Sequence, residues 1–144
     1  MSEQEMTGYP SLDKPWLKYY SAEAINAPLP DGTMFDLLYN SDKCRSNNTA
    51  LKYFGNSISY GEMFKNIRMT AGALSAHGVK RGDVVSILSL NTPETTYVIY
   101  GLNLIGAVAN LLVANMTPDE ISKNVSETGS KLLFVLDRMT DGLA

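Results

Sequence analysis

Apolar residues keep a helical spacing from Met63 to Leu74 and a strand-like continuity from Val84 onward, so the change of period near Gly78 organises the chain. Met63, Phe64, Ile67, Ala71 and Leu74 recur every three or four residues and form one stripe of a helix. Ser59 and Glu62 stand at capping-box spacing before it, and Gly78 after His77 suits a left-handed stop. Val84 to Leu90 then reads as a strand entered by a tight turn at Arg81-Gly82-Asp83. Thr92 caps the next helix, Pro93 takes a position with no donor to lose, and Glu94 complements the positive end of a helix running to about Gly106. A second strand spans Val108 to Val113. Thr117-Pro118-Asp119-Glu120 starts another helix with Ile121 and Val125 inward, and "KLLFVLD" is a third strand.

Upstream, "ALKYFGNSISY" alternates around Gly55-Asn56, so Leu51, Tyr53, Ile58 and Tyr60 predict a β-hairpin. Thr33 and Asp36 begin a helix with Phe35, Leu38 and Tyr39 on one face. Residues 1–32 hold no period and carry Pro10, Pro15, Pro28 and Pro30, which predicts an extended arm with at most one helical turn around Ser21 to Ile25. Trp16, Tyr19 and Tyr20 are expected to lie on the arm's own domain rather than to stack on a ligand. The fold class is α/β: a partial parallel sheet of βαβ units in residues 33–144, preceded by a hairpin and the N-terminal arm of residues 1–32. Unbroken apolar strands require both sheet faces to be covered.

In such sheets ligands bind beyond the carboxyl ends of the strands, which marks Asn91, Thr92, Asn115, Met116 and the residues after Asp137 by geometry alone. Asn91 and Thr92 are explained more economically as a helix cap. Of 144 residues 44% are hydrophobic and 19% charged, enough for one domain with a real core. A net charge of -3 and a pI near 5.1, with scattered cations, argue against nucleic acid or a membrane surface as partner. One cysteine, Cys44, and one histidine, His77, leave no intrachain disulfide and no multi-ligand zinc site. His77 is assigned to the end of its helix, where imidazole meets the negative dipole. The acidic, polar start lacks the order of a signal peptide and no stretch is long and apolar enough to span a bilayer, so a cytoplasmic setting is expected. Arg81-Gly82-Asp83 is expected to be a turn and not an adhesion motif.

No G-x-G-x-x-G follows a strand, and neither a G-x-x-x-x-G-K-[ST] loop nor a G-x-S-x-G elbow occurs. Gly101 and Gly106 fall inside or at the end of a helix, where close packing is their expected purpose. Asp31, Asp36, Asp42, Asp119 and Glu120 have turn or cap explanations. No residue is therefore named as catalytic, cofactor-binding or metal-binding.

The ordered words themselves resemble a family. Ser59-Tyr60-Gly61-Glu62-Met63, then Gly78-Val79 with Gly82-Asp83 and "VVSIL", then Gly106-Ala107-Val108, then Thr117 and Glu120, are similar to the N-terminal third of the adenylate-forming enzymes, the superfamily of acyl-CoA synthetases and AMP-binding ligases. The likeness covers roughly residues 33 to 137, and "KPWLKYYSAEAINAPLP" resembles the lead-in of bacterial fatty-acyl-CoA ligases. Leu111 and Ala114 stand where that family usually has prolines. The resemblance implies that residues 33–144 are the N-terminal portion of an AMP-binding (adenylation) domain. It implies a parent enzyme that adenylates a carboxylic acid, expected to be a long- or medium-chain fatty acid, with ATP and Mg, and then transfers the acyl group to CoA. The phosphate loop, the ribose-binding aspartate and the C-terminal lysine of that family are expected beyond Ala144. The chain is accordingly expected to be an inactive scaffold fragment whose partner is the remainder of the ligase. Its uncovered sheet is expected to make it a homo-oligomer. The alternative is a small α/β binding or interaction module without enzymatic activity.

Overall fold

The computed structural model of the chain describes residues 7–140. Two compact units divide at Asp31 and Gly32. The first is not a continuously extended arm: it holds α1 (Pro10–Asp13), a 3-10 turn (Pro15–Tyr19) and α2 (Ala22–Asn26). Pro10 and Pro15, two of the four prolines that read as breakers, are starters, because a proline at the first helical position has no N–H to lose, whereas Pro28 and Pro30 lie outside any helix.

In the second unit each described α-helix starts on a side-chain oxygen. Thr33 and Asp36 form a reciprocal capping box at α3 (Met34–Asp42). The hairpin follows as β1 (Thr49–Tyr53) and β2 (Asn56–Ser59), paired antiparallel with Leu51 opposite Ile58. Its two-residue turn is Phe54-Gly55, one residue earlier than the pattern suggests. Both have positive φ, 45° and 81°, as a type I′ turn requires, and phenylalanine is an unusual occupant of that region. Tyr60 opens the helix instead of closing the strand: α4 (Tyr60–Ala76) is capped by Ser59, which accepts from the N–H of Glu62. Gly78, at φ 83°, releases the chain from that helix.

β3 (Val84–Leu88), α5 (Pro93–Leu104), β4 (Val108–Leu112), α6 (Pro118–Glu127) and β5 (Leu132–Val135) complete the unit. The three strands are parallel in the order β4-β3-β5, with Val84 opposite Val108 and Val85 opposite Leu132. Side chains alternate along β3, so its two faces meet different helices. Val85 and Ile87 join Val98 and Leu102 of α5 in one buried cluster, whereas Leu88 joins Leu112 and Ile121 of α6 in another. Both faces are thus covered, as the unbroken apolar strands demand. A third cluster, Phe35, Met63, Phe64, Ile67 and Tyr97, joins α3, α4 and α5. The α4–α5 approach is set by Gly101: a Cβ there would lie 3.2 Å from the backbone nitrogen of Ala71. Gly106 is equally confined, with the Arg81 side chain against it.

Ser86 interrupts β3 and is fully buried. Asn110 Nδ2 donates to Ser86 Oγ (2.8 Å) and to Asn124 Oδ1 (2.7 Å). Ser86 and Ser130 hydroxyls lie 2.6 Å apart, Ser130 and Thr128 hydroxyls 2.8 Å apart, and Thr128 donates to the carbonyl of Asn124 at 2.8 Å. Since Thr128 gives its one proton to that carbonyl, the protons run one way, from Asn110 through Ser86 and Ser130 to Thr128. Among the described residues no buried side-chain nitrogen or oxygen lacks a partner.

Candidate functional site

The loop after β3 leads to α5 and the loop after β4 to α6, and these helices cover opposite faces of the sheet. Adjacent strands whose loops part in this way open a crevice at their carboxyl ends, the place where doubly wound sheets bind ligands. The positions marked from the sequence do sit there. A cavity of about 230 Å³ is lined by Asn91, Thr92, Thr95 and Thr96 from the start of α5 and by Leu51 and Lys52 from β1. On the α6 side a cavity of about 260 Å³ is lined by Leu88, Met116, Ile121, Met139 and Arg138. Asn115 is exposed nearby, and Asp137 accepts from the N–H of Arg138 at 2.8 Å.

The polar groups at these strand ends are bonded to one another. Thr92 Oγ1 accepts from the N–H of Thr95 (3.3 Å) and caps α5. Thr95 Oγ1 donates to the carbonyl of Leu90 (2.7 Å), with the Ser89 hydroxyl 2.8 Å away. Pro93 has no N–H and that of Thr96 reaches the carbonyl of Thr92, which leaves only the N–H of Glu94 facing outward in the first turn, beside a carboxylate. A phosphate cradle needs several successive free N–H groups and positive charge. The start of α6 is closed in the same way. Thr117 and Glu120 form a reciprocal box (Thr117 N to Glu120 Oε2, 2.8 Å), Pro118 follows, and those bonds hold the Glu120 carboxyl below its ordinary range. Neither helix start fits a triphosphate.

The other singled-out residues are tied into the scaffold. His77 donates from Nδ1 to the carbonyl of Ala73 at 2.8 Å, closing the end of α4. Asp83 accepts from Lys131 Nζ (2.9 Å) and the N–H of Lys80 (2.8 Å), so Arg81-Gly82-Asp83 is a structural turn. The Lys131 bond, ahead of the Lys80 amide, holds the Asp83 carboxyl below its usual value. Cys44 is exposed and free, and among the described residues no three His, Cys, Asp or Glu side chains converge. Nor is any helix there long and apolar enough to cross a membrane. Lys52 and Arg138, at the rims of the two cavities, carry no motif that would have announced them.

A parallel three-stranded sheet covered on both faces and led by a hairpin is a scaffold that many chemistries share. The family described as AMP-binding enzyme matches residues 38–144. The chain belongs to that family. Its sheet and helices match the N-terminal domain of adenylate-forming ligases. A benzoate CoA ligase from Burkholderia xenovorans superposes with a TM-score of 0.72 at 19% identity, over 75% of this chain and 22% of that one, a likeness of fold. Acetyl-coenzyme A synthetase of Allorhizobium ampelinum is 30% identical over 90 residues, 62% of this chain and 14% of its own length. Long-chain-fatty-acid--CoA ligase of Bacillus subtilis is 24% identical over 125 residues, 86% of this chain and 22% of its own length. The chain thus spans less than a quarter of either relative.

Proposed function

We propose that this chain supplies the first part of the AMP-binding domain of an ATP-dependent acyl-CoA ligase and serves there as scaffold. In the whole enzyme, acting in the cytoplasm with ATP, Mg and CoA, a carboxylic acid is adenylated with release of pyrophosphate and its acyl group is passed to the CoA thiol. The observation that carries the reading is the family match over residues 38–144, joined to strand ends whose polar groups are already bonded among themselves. The role of these residues follows from that geometry. Thr92 and the Thr117–Glu120 pair start helices that cover the sheet, Gly101 brings α4 against α5, and the polar layer around Ser86 seats α6. A fatty acid is the proposed substrate class, because the relative matched over the largest share of this chain among those named acts on long-chain fatty acids. No side chain between Thr7 and Thr140 is assigned to the phosphates, and the isolated chain is inactive.

The test is pyrophosphate release from Mg-ATP and a fatty acid, alongside the melting temperature with millimolar ATP. The chain alone should release no more than a heat-killed control and show no saturable ATP shift, since a ligand stabilises only a fold that binds it. Turnover above the control would refute the scaffold reading. A saturable shift without turnover would favour a self-sufficient nucleotide-binding module.

A further inference from the structure

We draw no further inference here: the strongest candidate, the cavity of about 260 Å³ at the carboxyl end of β3, lined by Leu88, Met116, Ile121 and Met139 with Arg138 at its rim, stands open in a chain that spans less than a quarter of its relatives, and nothing in the structure shows what fills it.

Discussion

Replacing either of two helical glycines by alanine should move stability in opposite directions. Gly72 lies in α4 and Gly101 in α5, both at ordinary helical φ. Alanine in place of glycine inside a helix gains up to about 1 kcal/mol from backbone entropy, and this gain is common to both sites. A Cβ at Gly72 meets nothing within 4 Å, so Gly72→Ala should keep the gain. A Cβ at Gly101 falls 3.2 Å from the nitrogen of Ala71 and 3.4 Å from the carbonyl of Ile67. Both neighbours are backbone of α4, so relief requires that whole helix to shift by tenths of an ångström against buried Ile67 and Leu102. Overpacking of this kind costs about 1–3 kcal/mol, which leaves Gly101→Ala destabilised by up to about 2 kcal/mol after the helical gain. The two variants should differ by about 1–3 kcal/mol, or roughly 3–10 °C in melting temperature for a chain of this length. Urea unfolding followed by circular dichroism, at one protein concentration because association shifts apparent stability, gives the difference directly. A Gly101→Ala variant as stable as Gly72→Ala would show that the close helix approach does not constrain the fold.

Phe54→Asn should stabilise the hairpin by about 0.5–1 kcal/mol, because Phe54 is 87% exposed at φ 45° and asparagine tolerates that region better. Loss of the edge contact with the Tyr53 ring trims the gain, and a lower melting temperature would contradict it. Thermal stability should also fall as the pH drops below the usual carboxylate range near 4. Thr33 and Thr117 amides lower the folded-state values of Asp36 and Glu120, and the Lys131 bond lowers that of Asp83. The folded chain therefore binds fewer protons than the unfolded one in that window, and the stability these groups contribute above it is lost as pH falls through the lowered values. Asp83→Asn should flatten the dependence, and an unchanged acid profile in that variant would sink the assignment to Asp83.

What was legible in the sequence was mostly local. Thr33, Ser59, Thr92 and Thr117 each act within three residues of themselves, and all four cap helices as their spacing implies. The α/β class followed from apolar strands alternating with those helices. The order β4-β3-β5 was not legible, because whether β5 lies beside β4 or beyond β3 depends on a crossover whose outcome no short window contains. The turn slipped from Gly55-Asn56 to Phe54-Gly55 because local preference weighs against a left-handed phenylalanine, while the pairing of Tyr53 with Asn56 decides otherwise. Ser86 passed as an incidental member of an apolar run, since its partners Asn110 and Ser130 are 24 and 44 residues away. At the strand ends the cap reading of Thr92 was correct, and Lys52 at the same cavity was invisible because it arrives from the hairpin.

The layer joining Ser86, Asn110, Asn124, Thr128 and Ser130 has a consequence for how the chain assembles. Its members come from three stretches, β3, β4 and the run from Asn124 to Ser130, and Ser86 and Asn110 find their partners only when β3, β4, α6 and the entry to β5 are all in place. A half-built sheet would bury Ser86 or Asn110 without a partner, at about 1–3 kcal/mol for each orphaned group. An all-apolar layer would reward each docking step separately and tolerate sliding of the helix, whereas this one withholds its reward until the last piece arrives. Partly docked forms are thereby raised in energy relative to the finished fold, which sharpens the folding transition and fixes a single seating for α6.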